Sequence, residues 1–303
     1  MKKFAPLYII VAASLWGVDG IILRPYLYTL PVPLVVFLES GIVAIILSPV
    51  FIKRFDIFKQ LPLKDLIAFG GVAFFGGAVG TMAITKAVFY VNYVNLSIVV
   101  LIQKLQPIFA LVLAAIFLKE RLPLVFFVWA GTAIIGAYLM TFGGQLPNLN
   151  TGEETVYAAL YALLAAFSFG FSTVLSKRAL KNVTYTTGTY LRFLFTTIIM
   201  LMILLTFGDI ESVSQVSSDQ WIIFMIIAFT SGGLAIFLYY FGLKRITASL
   251  ATICELSFPL TAILLEYFLR GNLLDWIQWI GATILIYSII RVSGISIGRK
   301  VSY

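Results

Sequence analysis

Leu101-Ile102-Gln103-Lys104-Leu105-Gln106-Pro107 places a lysine, two amides and a proline inside an otherwise apolar run, about residues 94–118. A run of that length can cross a bilayer as a helix. In hydrocarbon a central lysine costs ~3 kcal/mol on insertion scales, so such groups persist where they face a water-filled or protein-lined interior. A second stretch, Ile253-Cys254-Glu255-Leu256-Ser257-Phe258-Pro259, holds the matching place in another apolar run, its proline 152 residues after the first. Each proline removes a helical hydrogen bond at membrane depth and should free a carbonyl one turn earlier, at Gln103 and at Glu255. Pro107 and Pro259 are thus the expected hinge or helix-break positions, each beside polar side chains.

The rest of the chain gives that pair its setting. Of 303 residues, 61% are hydrophobic and 11% charged, with a mean hydropathy of +1.04. That leaves too little polar surface to cover a water-soluble globule. The fold class expected is all-α integral membrane, with ten transmembrane helices at about 6–24, 32–52, 64–88, 95–118, 123–142, 155–177, 184–207, 219–242, 248–269 and 273–291, forming one compact membrane domain. Met1-Lys2-Lys3 and the apolar run behind it read as an uncleaved first span, because the run continues to about Leu23.

The net charge of +8 is topological. With the N-terminus inside, sixteen Lys and Arg fall on inner segments, and only Arg24, Arg270 and Lys86 on outer ones. The positive-inside rule therefore places both termini in the cytoplasm of a multi-pass protein of the plasma (inner) membrane. The basic residues make no aromatic-interleaved patch, so no nucleic-acid partner is expected. Histidine is absent and the single cysteine, Cys254, lies within a span. Imidazole catalysis, metal binding that depends on imidazole and a disulfide framework are excluded accordingly, and no cofactor or metal is expected.

Internal repetition sets the architecture. Trp16-Gly17 aligns with Phe169-Gly170 and Glu39 with Arg192 at an offset of 153, while Ser97 aligns with Ser249 and Pro107 with Pro259 at 152. The chain reads as two five-helix halves, 1–146 and 150–303. Five spans is an odd number, so the second half enters the membrane from the opposite side. Two inverted repeats of this kind are the architectural basis of alternating access.

Charged residues within spans are few enough to weigh singly. Asp19 lies some ~20 Å along the first helix, with Trp16 one turn earlier on the same face. Together they could bind a substrate ammonium or a proton against an aromatic wall; the plainer reading pairs Asp19 with Lys104 or Arg192. Glu39 and Arg192 are repeat counterparts of opposite charge, either lining one cavity, closing a gate as a salt bridge, or forming a permanent structural pair. Gln103, Lys104 and Gln106 make a polar arc suited to a carboxylate-bearing substrate, unless Lys104 is neutralised by Glu255 or Glu39. Glu255 is the counterpart of Gln103 and shares a face with Thr252 and Pro259. The expected substrate-binding set is Trp16, Asp19, Glu39, Gln103, Lys104, Gln106, Arg192 and Glu255, with no catalytic residue.

The sequence also resembles a known family. Leu15-Trp16-Gly17, the stretch Phe241-Gly242-Leu243-Lys244-Arg245-Ile246-Thr247-Ala248, and the span from Pro107 to Lys119-Glu120-Arg121-Leu122 are similar to the EamA branch of the drug/metabolite transporter superfamily. The resemblance covers nearly the whole chain. It implies a central cavity between the first four helices of each half, with the fifth and tenth outside, and substrates among amino acids, nucleotide sugars, other metabolites or lipophilic cations. Two departures stand out: Glu39 occupies a place where the family often carries arginine, and Arg270-Gly271-Asn272-Leu273 lacks the glutamate that Glu120 supplies in the first half.

Charges of both signs around one cavity suit a zwitterion. The expected function is a secondary transporter moving a small polar metabolite, an amino acid by export, through a midplane cavity. A transporter of quaternary or lipophilic cations is the alternative. A membrane-embedded enzyme acting on a lipid is a further reading, which the absence of histidine, metal-ligand clusters and phosphate-binding loops speaks against. The partners implied are a small-molecule solute and the lipid bilayer, together with a proton or other coupling ion and a homodimer as open options.

Overall fold

A computed structural model describes residues 4–52, 61–90, 97–146, 155–207, 209–271 and 274–298. Among these residues there is no β-strand, and nine helices are long and apolar enough to cross a membrane. They are α1 (Ala5–Leu27), α2 (Val32–Phe51), α3 (Leu63–Ala87), α5 (Leu124–Phe142), α6 (Val156–Ala179), α7 (Tyr185–Phe207), α8 (Ser218–Leu243), α9 (Ala248–Leu269) and α10 (Trp276–Gly294). The tenth span, α4, consists of two shorter helices, Ser97–Gln103 and Gln106–Phe117. Its expected beginning at about residue 95, and most of the connection between the halves, lie outside the described residues.

Local chemistry sets the helix ends. Pro62 and Pro123 stand immediately before α3 and α5, where a missing N–H costs nothing. Ser217 and Gln220 form a reciprocal capping box at the start of α8, and the Thr247 hydroxyl caps α9 by accepting from the Leu250 N–H at 3.1 Å. Gly271 ends α9 in the left-handed conformation (φ +67°) that glycine adopts without steric cost.

The packing has the twofold pattern of an inverted repeat. α1 packs against α8 and α9, and its counterpart α6 packs against α3 and α4. α2 meets α7, α4 meets α9, and α5 meets α10, each helix beside its own repeat mate. Small residues dominate the buried set (Ala12, Ala110, Ala133, Ala137, Ala235 and Ala251 are all inaccessible), as expected where close van der Waals approach, and no difference in hydrophobicity from lipid, holds helices together. Gly136 and Gly281 mark the closest approach. A Cβ on Gly136 would lie 2.7 Å from the Leu285 nitrogen, and one on Gly281 would strike the backbone of Met140. The outer sides of α5 and α10 remain bare at Leu124, Val128, Ile135, Trp276, Ile286 and Ile290, the aspect of a lipid-facing surface.

Two irregularities recur in both halves. α3 and α8, repeat mates, each contain a π-helical turn, at Ala73–Val79 and Ala228–Gly232. α4 and α9, also mates, each break into a two-residue turn, at Lys104–Leu105 and Glu255–Leu256. Pro107 follows its turn's first residue by three positions and Pro259 by four, so Lys104 and Glu255 are the residues that stand at equivalent points of the two breaks.

Candidate functional site

Glu255 is the centre of the best-built polar cluster inside the membrane. One carboxylate oxygen accepts from the Tyr239 hydroxyl at 2.7 Å, the other from the Gln106 amide at 2.9 Å. Three helices thereby meet at one carboxylate: α8 through Tyr239, α4 through Gln106, and α9 itself. A fourth joins through Thr173 of α6, whose hydroxyl lies 3.0 Å from that of Tyr239. The carboxylate stands at the two-residue turn that breaks α9. Ser257 closes the turn by donating to the Cys254 carbonyl at 2.8 Å.

An aromatic surface lies beside this cluster. The Trp16 ring is tilted against Tyr239 with centroids 5.4 Å apart, and its indole N–H donates to the Ser231 carbonyl at 3.0 Å. Ser231 belongs to the π-helical turn of α8, which breaks the regular ladder and makes a carbonyl available to a neighbouring helix. Tyr240, next in the chain, places its hydroxyl 3.1 Å from Ser176 and its ring 6.0 Å beneath the Arg192 guanidinium.

Among the described residues Arg192 forms no salt bridge with Glu255. It points toward Gly76, whose missing Cβ would lie 3.8 Å from a guanidinium nitrogen and against the Ser172 hydroxyl. Among the described residues neither the Arg192 nor the Lys104 side chain makes a hydrogen bond or salt bridge, and Lys104 is only 9% exposed. Two cationic side chains within the spans therefore keep their donors unspent.

The structure separates several residues that the sequence suggested would meet. Asp19 and Glu39 belong to a different cluster, toward the end of α1 remote from the N-terminus. Arg24 turns back to both, at 2.6 Å from Asp19 and 2.9 Å from Glu39. Arg24, counted from sequence as a charge of the outer loop, ends α1 within reach of these two carboxylates because a π-helical turn at Asp19–Leu23 and a tighter turn at Arg24–Leu27 coil the chain back. Asp19 thus pairs with neither Lys104 nor Arg192, and Glu39 does not pair with Arg192. Lys104 is likewise neutralised by neither Glu255 nor Glu39. Trp16 and Asp19, expected to act together, serve different clusters. The polar arc of α4 also divides: Gln106 reaches Glu255, whereas Gln103 donates to the Ala162 carbonyl of α6 at 3.1 Å. The carbonyl of Glu255, expected to be free, accepts from the Phe258 N–H at 2.9 Å, a tight turn absorbing the bond that Pro259 cannot make.

Sequence reasoning missed Tyr239, Thr173, Tyr240 and Arg24. Tyr239-Tyr240 lies near the end of a span, where tyrosine ordinarily reads as an interfacial residue; Tyr239 is nevertheless 3% exposed and Tyr240 inaccessible. A buried tyrosine needs a partner for its hydroxyl, and that need is the signal that would have drawn both inward.

At the membrane face where α1 begins, three ties converge on the turn between α8 and α9. Buried Lys177 donates to the carbonyls of Leu243 and Lys244 at 2.9 and 3.2 Å. Lys244 donates to the Val183 carbonyl at 2.6 Å, and partial burial, then the charge of neighbouring Arg245, push its pKa down. Glu120 accepts from the N–H groups of Ala248 and Ser249 and from the Ser249 hydroxyl, at 2.7, 3.2 and 2.6 Å. A carboxylate at a helix start satisfies orphan donors and complements the helix dipole. Glu120→Ala should therefore lower stability by about 1–3 kcal/mol, read as a fall in the thermal midpoint of the detergent-purified protein, with Glu120→Gln losing less. An unchanged midpoint for the alanine variant would show that these bonds contribute nothing net.

Comparison with known proteins fits this architecture. The model of the EamA-like transporter family matches residues 3–142 and again residues 156–294. The chain belongs to the EamA-like transporter family. A riboflavin transporter, ImpX, of Fusobacterium nucleatum subsp. nucleatum is 44% identical over 288 residues, 95% of this chain and 96% of that protein. A solved crystal structure superposes over 100% of both chains with a TM-score of 0.74 at 16% identity, a likeness of fold alone. Membership of an EamA-like family agrees with the two-repeat, all-helical membrane architecture, and makes the protein a multi-pass membrane transporter.

Proposed function

We propose that this EamA-like transporter carries riboflavin across the plasma membrane by alternating access, with both termini in the cytoplasm and the flavin held at the break of α9. The observation that carries the reading is the 44% identity over 95% of the chain to a protein named as a riboflavin transporter. The chemistry of the Glu255 cluster supports it. A flavin is a flat aromatic tricycle with a polar edge and a polyol chain, and it calls for aromatic faces beside fixed donors and acceptors. Trp16, packed on the buried Tyr239, offers a face, and Glu255 and Gln106 the polar groups. A zwitterionic amino acid fits the site less well. Its ammonium needs carboxylate acceptors, and Asp19 and Glu39 are both engaged by Arg24. For the same reason a quaternary cation finds, of these three carboxylates, only Glu255, which already holds hydrogen bonds from Tyr239 and Gln106.

Flux measurements in proteoliposomes test the proposal. Labelled riboflavin should enter vesicles holding the purified protein in a saturable manner, and unlabelled riboflavin should compete, while a panel of amino acids and quaternary ammonium ions should not. Repeating the assay with an imposed pH gradient reports proton coupling. Saturable amino-acid flux without riboflavin flux would replace this reading with the zwitterion reading.

A further inference from the structure

The ties at the face where α1 begins join two groups of helices. α6, which packs against α3 and α4, is fastened there to α8, which packs against α1: the Lys177 ammonium near the end of α6 donates to the Leu243 and Lys244 carbonyls at 2.9 and 3.2 Å. At the repeat offset of 153 the counterpart of Lys177 is Arg24, near the end of α1 at the opposite face. The regular helix Gly233–Leu243 that finishes α8 corresponds residue for residue to Gly80–Tyr90, which carries α3 to its end. The mirror of the Lys177 tie is therefore Arg24 donating to the Tyr90 carbonyl. Arg24 is engaged elsewhere, by Asp19 at 2.6 Å and Glu39 at 2.9 Å. The two mates also differ in shape, since α6 is regular from Thr155 to Ala179 whereas α1 leaves the regular ladder at Asp19. The second half has no copy of this restraint: Ser172 stands in the place of Asp19 and Arg192 in that of Glu39.

We infer that Arg24 is the moving part of a proton-sensitive latch for the face opposite the start of α1, and that Asp19 and Glu39 hold this latch open in the present state. The inference rests on the alternating-access part of the reading above and is independent of the cargo. Inverted repeats alternate by exchanging the conformations of their halves. In the exchanged state the Lys177 tie opens, and Arg24 leaves the carboxylates for the Tyr90 carbonyl. That carbonyl is among the last four of its helix, where a cation satisfies an orphan acceptor and complements the helix dipole. The carboxylates left behind keep only 7% and 15% exposure, and a buried carboxylate without a partner becomes neutral by accepting a proton. Movement of Arg24 is thereby linked to proton uptake by Asp19 and Glu39. Other ionisable groups on the elements packed against this cluster are Lys86 of α3, Tyr190 and Arg192 of α7, Glu211 and Asp219 beside the start of α8, and Glu266 of α9. None of them forms a salt bridge with Asp19, Arg24 or Glu39, which pair with one another. Because only the first half carries the restraint, the resting balance favours the state tied at Lys177.

The test places spin labels at Phe4→Cys, where α1 begins, and at Arg178→Cys on α6, one in each group of helices, and measures their separation in the detergent-purified protein by pulsed dipolar spectroscopy. Both positions are exposed, and the native Cys254 is inaccessible to the label. The parent at neutral pH should show chiefly the shorter distance of the tied state. Asp19→Asn with Glu39→Gln should raise the ratio of long to short distance at least ~10-fold, the effect of weakening hydrogen bonds between charged groups in one state alone. Adding Arg24→Met to that pair should return the ratio to within ~2-fold of the parent's, because the latch itself is then gone. Lys177→Met should raise the long distance by opening the tie directly. Lowering the pH should shift the parent toward the long distance and leave the Asn/Gln double variant unmoved. If the double variant fails to fold, Asp19→Asn alone should give a smaller shift in the same direction. A double variant that does not shift beside a Lys177→Met that does, a shift that survives Arg24→Met, or a parent indifferent to pH overturns the inference and leaves alternating access intact. A single distance in every variant overturns both.

Discussion

Arg24→Met should cost about 3 kcal/mol of stability. Arg24 neutralises Asp19 at 2.6 Å and Glu39 at 2.9 Å, and these carboxylates keep only 7% and 15% side-chain exposure. One Asp19 oxygen is buried without any hydrogen-bond partner, so Arg24 is the principal support of that group. Removing one member of a buried ion pair strands an uncompensated charge, at about 3–5 kcal/mol; the Arg24 side chain keeps 31% exposure, which argues for the lower end of that range. The triple variant Asp19→Asn, Arg24→Met, Glu39→Gln should recover much of the loss, since it removes the stranded charges along with their partner. Thermal midpoints of the single and triple variants, compared in one detergent, check this. A single variant as stable as the parent would mean that water already screens the cluster.

The largest expected effect on transport belongs to Glu255→Gln. The glutamine keeps the size of the side chain and can turn its one carbonyl oxygen to the Gln106 amide and its N–H to the Tyr239 hydroxyl, but it removes the negative charge and half of the accepting capacity offered to the ligand. A hydrogen bond to a charged group contributes about 1.5–3 kcal/mol, which corresponds to a fall in kcat/KM for riboflavin of roughly 10- to 100-fold. Tyr239→Phe removes one support of the same carboxylate and should lose several-fold less. Both variants should retain a thermal midpoint near that of the parent, which separates a binding defect from a folding one. Flux through Glu255→Gln equal to the parent's would place the binding site elsewhere in the bundle.

The outlines of the fold were legible because hydrophobic run length and a repeat offset are properties of the chain alone. Spans, their order and the broken pair α4 and α9 all follow from apolar runs and from Pro107 and Pro259. The pairing of charges did not follow, for a local reason. Arg24 reaches Asp19 only because a π-helical turn coils the end of α1, and nothing in Asp19-Gly20-Ile21-Ile22-Leu23 announces that turn. The repeat alignment made Glu39 and Arg192 counterparts, yet Glu39 pairs with Arg24, because position within a repeat fixes which helices meet and leaves side-chain partners to each half. Tyr239 escaped notice because a tyrosine near a span end has two ordinary environments, lipid interface and buried hydrogen bond, and only the tertiary structure chooses. Gln106 and Glu255, each costly in lipid unless it has a partner, do meet, whereas Trp16, grouped from sequence with Asp19, joins them instead through Tyr239.

The account turns on a flavin held at the α9 break, and one titration addresses it most directly. Riboflavin fluorescence is followed as purified protein is added, for the parent and for Glu255→Ala side by side. Saturable quenching is expected with the parent, as the ring comes to rest against Trp16, and binding at least ~10-fold weaker with the variant. Identical quenching curves for the two proteins, or none with either, would contradict it.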